Sequence, residues 1–155
     1  MKLDSKAIVL SVAALGFCVS GGATEKKISK TDLPAAVLKT AQEQSEGATV
    51  KGYSKDAENG QVEYEVQMTA NGHSKDVTIA PDGRLMEVEE QVEMSSLPAS
   101  VQSALKARAG EGSITSVESL TKSGKIVAYE AKVKKNGHSA EVQVGPDGER
   151  LKHEQ

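Results

Sequence analysis

Two rhythms of apolar and polar positions alternate along the chain. Leu33, Val37 and Ala41 recur at helical spacing, and Leu97, Val101, Ala104 and Leu105 do the same further on. Such stripes predict amphipathic helices with one face turned to a core. Asp32 and Ser96 stand before them as N-cap residues, and Pro34 and Pro98 fall in the first turn, where a missing N–H costs nothing. Gly47 and Gly110 sit where a helix stops, so each helix is expected to run about 12 residues.

After each helix the period becomes two. Val62, Tyr64, Val66 and Met68 alternate with Glu63, Glu65, Gln67 and Thr69; Val127, Tyr129, Ala131 and Val133 form the inward row of the second stretch. This alternation predicts strands with one buried and one wet face. Asn71-Gly72 and Asn136-Gly137 predict two-residue hairpins, because both turn positions want positive φ. Returning strands carry Val77 with Ile79, and Val142 with Val144. "PDG" at 81–83 and 146–148 predicts a further reversal. A last strand is expected after each, carrying Met86 and Val88 in one case and Leu151 in the other, and earlier strands are expected near 48–54 and 114–121.

Leu33 and Leu97 are 64 positions apart, whereas Asn71 and Asn136, like Pro81 and Pro146, are 65 apart. A tandem duplication with one inserted residue explains this economically. The fold class expected is α+β: two tandem repeats, each a short helix packed on a 3–4-stranded antiparallel meander. Residues 32–94 form the first repeat and 95–155 the second. Two units of this size would hold thin cores, so they should pack together or extend one another's sheet.

The start of the chain follows neither rhythm. Lys2 and Lys6 precede an apolar run, "AIVLSVAALGFCVS", and Gly21 and Ala23 occupy small-residue positions before polar "TEKK". This predicts a signal peptide over residues 1–23, too short to span a bilayer, with 24–31 as a linker and a periplasmic or secreted destination. Phe17 sits where lipoprotein processing wants a small residue, which counts against Cys18 as a lipidation site. Removal of the leader takes away the only Cys and the only Phe, leaving Tyr53, Tyr64 and Tyr129 as the aromatics. Packing alone must then hold the chain in an oxidising compartment.

The helix opening "LP..V", a strand containing Tyr, "NGH" and a "DG" turn near the third strand resemble the PepSY-like domain, in two copies over about 33–92 and 97–155. In architecture the pattern is also similar to the beta-lactamase inhibitor protein. The resemblance implies a non-catalytic protein-binding module, an inhibitor or regulator of a peptidase or other secreted or envelope protein. It carries over no inhibitory residues.

Candidate chemistry is sparse. His73 and His138 follow the two Asn-Gly turns, but nothing spaced like a metal site accompanies them. "DAENG" from Asp56 fails the calcium-loop register, because Gly60 falls at loop position 5 rather than 6. No nucleophile elbow is present, and the acidic, aromatic-poor chain lacks the basic stacking groove of a nucleic-acid binder. No cofactor, metal site or catalytic residue is therefore expected.

Charge does change the picture. From Asp32 to Ser96 there are thirteen acidic and five basic residues, a net of −8; from Leu97 to Gln155 there are seven and nine, a net of +2. The alternation sends Glu63, Glu65, Asp76 and Glu89 to the open sheet face, and these are the candidate partner-binding residues. Across the second repeat the matching positions include Glu130, Lys132, Lys134, Glu141 and Gln143. A runner-up reading makes the acidic first repeat a small-ligand or cation-binding sensor. The intact mass of the exported protein is expected to begin at Thr24 without lipid; a mass that retains residues 1–23 overturns the leader assignment.

Overall fold

A computed structural model describes residues 26–58 and 61–155. A short strand, β1 (Lys26–Ile28), and a 3-10 turn (Lys30–Asp32) lead into α1 (Ala35–Gln44). Four strands follow: β2 (Thr49–Glu58), β3 (Gln61–Ala70), β4 (His73–Ile79) and β5 (Leu85–Gln91). A second 3-10 turn (Met94–Ser96) leads to α2 (Ala99–Ala109), β6 (Ser113–Lys122), β7 (Lys125–Lys135) and β8 (His138–Val144). All eight strands form one antiparallel sheet in sequence order, so the fold is α+β, with two helices on an eight-stranded sheet among the described residues.

The helices begin later than the N-cap reasoning expects. A residue before proline is steered away from helical angles. Leu33 and Leu97 accordingly stay extended, with ψ of 136° and 156°, and Pro34 and Pro98 themselves occupy the cap positions. The kink is useful because it drives both leucines into the core. Asp32 instead closes the preceding turn, accepting bonds from the Ser29 N–H and Oγ at 2.9 Å each. Those bonds hold its carboxyl below the usual range.

Alternation predicts the core well. Val37 and Ala41 of α1 pack on Tyr64, Val66, Met68, Val77 and Ile79. Val101 and Leu105 of α2 pack on Val117, Tyr129, Ala131, Val133 and Val144. Both helices lie on the same sheet face, as the register shows: Val88 of the first cluster pairs with Thr121, which shares a face with Ser119 and Val117. Asn71 and Asn136 adopt φ of 53° and 51°, with Gly72 and Gly137 also positive. Ser123-Gly124 makes a third hairpin of the same type, at φ of 51° and 73°.

Four local expectations need correction. Residues 24–31 are not simply linker, because Lys26–Ile28 pair with Tyr53–Lys55 and Ile28 packs against the first core. Val127 is not a regular inward residue: Leu120 pairs with Ala128 and Thr121 with Ile126, leaving Val127 as a bulge. A second bulge leaves Met86 unpaired between Leu85 and Glu87, while Leu85 and Val88 pack beneath α1. The strand expected to carry Leu151 is absent, and residues 149–155 run without strand pairing. Counted from the Pro-Asp-Gly turns, Arg150 and His153 stand where Leu85 and Val88 stand in β5. A strand there would press two polar side chains against the apolar face, which is costly without partners.

The Pro-Asp-Gly turns set the height of each helix above the sheet. A Cβ on Gly83 would lie 2.7 Å from the Ala36 carbonyl oxygen, and one on Gly148 2.7 Å from that of Ser100. Thr40 Oγ1 donates to the Gly83 carbonyl at 2.6 Å across the same contact. Gly83→Ala is therefore expected to cost at least ~2 kcal/mol, combining left-handed strain with the clash. Tyr64, 7 % exposed, should cost about 3–5 kcal/mol on truncation to Ala. Urea denaturation of both variants checks these values, and an unchanged midpoint contradicts the packing described.

Candidate functional site

Because the helices occupy one face, the other face of β2–β8 carries most of the polar positions of the alternation, while Lys55, Lys75, Glu90 and Ser119 fall on the helix side. Glu63, Glu65, Asp76 and Glu89 all lie on it. Asp76 pairs directly with Glu89 across β4 and β5, and Glu65 lies one strand away opposite Thr78. Glu63 stands apart toward one rim. It lines a shallow pocket of about 370 Å³ with Thr78, Arg84, Met86, Glu87, Lys122 and Ser123.

The pairing of β5 with β6 then brings in residues from the other half. Glu87 pairs with Lys122, Glu89 with Leu120, and Gln91 with Glu118. Glu118 in turn pairs with Glu130, which pairs with Gln143. The result is a carboxylate field astride the centre of the sheet, with Leu120 and Ala128 as its apolar floor. Leu120 is 2 % exposed although no helix covers that face. Glu118, at 6 % exposed, is nearly as buried.

Partners satisfy several of these groups. Lys132 Nζ donates to Glu118 Oε1 at 3.0 Å, and Lys122 Nζ lies 2.8 Å from Glu87 Oε2. Glu65 accepts from Ser54 Oγ at 3.3 Å and from Gln67 Nε2 at 3.1 Å. Glu130 accepts from Gln143 Nε2 at 2.8 Å, and the backbone N–H of Gln155 donates to Gln143 Oε1 at 2.9 Å. The chain end thus folds over this face.

Among the described residues, no lysine or arginine forms an ion pair with Asp76 or Glu89. Burial, reinforced by the charges of Glu65 and Glu118, pushes Asp76 up to about 6. Burial pushes Glu89 up to about 8, helped by its bond to Glu87 and by the charges of Glu87, Glu130 and Glu118. Burial also raises Glu130, against the opposing bond from Gln143. For Lys132 burial disfavours the charge, but its bond to Glu118 and the surrounding carboxylates outweigh this and hold it above the ordinary lysine value.

Glu87 and Glu118 were not among the sequence-derived candidates. Glu87 lies beside Glu89 in "LMEVEEQ", where alternation alone could have placed it on the same face. Glu118 follows a bulge between Ile114 and Ser116, so simple alternation loses the face. Among the described residues, no three His, Cys, Asp or Glu side chains lie close enough together to hold a metal ion. His73 and His138 begin β4 and β8 beside the hairpin turns, away from this field.

No family model matches the chain, and no curated protein matches it in sequence. Solved structures do match the fold. A protein of Bacteroides eggerthii described as periplasmic superposes with a TM-score of 0.60 at 18 % identity, over 76 % of this chain and 84 % of its own. A DUF2874 family protein of Bacteroides ovatus gives 0.60 at 18 % identity, over 77 % and 85 %. A BLIP-like protein of Bacteroides fragilis gives 0.56 at 19 % identity, over 79 % and 85 %. The fold is therefore BLIP-like. No helix among the described residues is long and apolar enough to cross a membrane.

Asp76 and Glu89 bind protons more tightly in the folded chain than in the unfolded one. Their contribution to stability is complete below their unfolded values, near 4, and is lost as pH rises through about 6 and about 8 respectively. The denaturation midpoint is expected to fall across that window. Glu89→Gln, which keeps the shape without the charge, should be more stable than wild type near pH 8 and show a flatter profile. Parallel profiles for the two proteins would contradict the desolvation of Glu89.

Proposed function

We propose that the chain is an exported, non-catalytic module that binds a secreted or envelope protein through the uncovered face of its sheet. The carrying observation is the carboxylate field itself: Glu65, Asp76 and Glu89 joined by Glu87, Glu118 and Glu130 over the Leu120 floor. Partly desolvated carboxylates in excess of their cations favour a partner that brings positive charge. The face lacks Trp and Phe, the large apolar anchors that dominate many tight interfaces, so charge complementarity carries much of the affinity. Glu63 extends the field toward the rim.

On this reading residues 1–23 are a signal peptide removed on export, and residues 32–94 and 95–155 are two PepSY-like repeats from a duplicated helix-and-meander unit, the first of them extended by the edge strand Lys26–Ile28. The twin Leu-Pro openings, Asn-Gly hairpins and Pro-Asp-Gly turns support the duplication. The periplasm is the compartment in which the module works, supported by the periplasmic protein that shares the fold. The BLIP-like neighbour supports a protein partner, and the PepSY-like resemblance supports inhibition or regulation of a peptidase or other envelope protein as the task.

The test is capture of partners by the mature chain from its native compartment, followed by binding measurements with Glu63→Lys/Glu65→Lys. The double variant is expected to bind at least ~10-fold more weakly at low salt and to lose most of the salt dependence. Unchanged affinity and unchanged salt dependence would place the partner elsewhere on the protein.

A further inference from the structure

Strand β8 ends the sheet with an open edge. It pairs with β7 without interruption from His138 to Val144, and among the described residues no strand lies on its other side. The opposite edge of the sheet is guarded in the way natural sheets guard edges, because β1 is three residues long and two of them are lysines. β8 has none of these protections. Its seven residues, "HSAEVQV", contain no Pro, no Lys and no bulge.

The chain that could have covered this edge turns away from it. The Gly145 N–H donates to the Glu149 carbonyl at 2.9 Å, closing a turn like that of Ala80 and Arg84. After Arg84 the chain enters β5 and pairs with β4. After Glu149 no backbone bond joins it to β8, and its end crosses to the open face to reach Gln143. Half-buried Ala140 and Val142, with buried Val144, are left along an edge that no described strand covers.

A strand suited to this edge must set apolar residues beside Ala140, Val142 and Val144 on the helix side, and no acid beside Glu141 on the open side. β8 of a second copy meets both conditions. With an antiparallel two-fold centred on Val142, the two Val142 residues oppose each other and Ala140 opposes Val144 of the second copy. Glu141 then opposes Gln143 of the second copy, an uncharged side chain, so no like charges meet. We propose that the chain self-associates through β8 in this register. Two eight-stranded sheets become one continuous sheet, with both carboxylate fields on the same side. This surface is separate from the one proposed for the partner.

A seven-residue edge lined by small side chains buries little area, so the dimer belongs to the weak, concentration-dependent class. Directly opposed residues in an antiparallel pair have Cα atoms about 4.5–5.5 Å apart, inside the range a disulfide spans. In a Cys18→Ser background, Val142→Cys is therefore expected to oxidise to a disulfide-linked dimer with native circular dichroism. Ala140→Cys, displaced by four residues from its own copy, should stay largely monomeric. Equal cross-linking of the two variants, or none from Val142→Cys at about millimolar protein, overturns the proposal. Sedimentation of the unmodified chain gives an independent check. Its weight-average mass should rise with concentration, and Ala140→Lys, which gives this edge a lysine on its apolar side, should abolish that rise. A chain that sediments as a monomer throughout, or an Ala140→Lys protein that associates like wild type, also overturns it.

Discussion

The pairing of β5 with β6 is the contact on which the rest of the molecule depends. Each helix covers a small cluster of buried apolar residues, and neither cluster is large for an independent domain. Five register pairs, Glu87–Lys122 through Gln91–Glu118, make the two sheets one and give both cores a shared backbone scaffold. The Glu87–Lys122 ion pair sits at one end of that seam, with the Glu87 side chain mostly sheltered. The same seam builds the candidate site. Glu89 comes from one side of it and Glu118 and Glu130 from the other, so the charges by which Glu130 and Glu118 add to the effect of burial and of Glu87 on Glu89 reach it only in the fused sheet.

This explains which parts of the structure are legible in the sequence. Short-range rules carry the helices, the Tyr64 and Tyr129 strands and the Asn-Gly turns, because each depends on residues a few positions apart. The later helix start was also legible in principle, since Leu33 and Leu97 both precede proline. The bulges at Met86 and Val127 were not, because an extra residue in one strand is defined only against its partner. The missing ninth strand was half visible: Arg150 and His153 contradict the apolar pattern that Leu85 and Val88 satisfy.

The candidate site divides in the same way. Alternation puts Glu63, Glu65, Asp76 and Glu89 on one face, but it cannot say which of them meet. The contrast between −8 and +2 suggested an acidic surface confined to the first part of the chain. Across the seam, however, Glu118 and Glu130 extend the acid into the basic part, while Lys122 and Lys132 return positive charge to it. Net charge by segment therefore describes this surface less well than strand register does.

The sequential strand order has a consequence for how the chain reaches this state. Every strand pairs with the one made just before it, and among the described residues only β1–β2 and β5–β6 close over an intervening helix. Contacts of short sequence separation form quickly because little chain entropy is lost before they are made. A polypeptide threaded through a membrane pore from its N-terminus could thus build this sheet one hairpin at a time, each new strand finding its template already in place. The sole cysteine, Cys18, lies outside the described residues, so stepwise assembly of the described sheet needs no thiol oxidation to finish it.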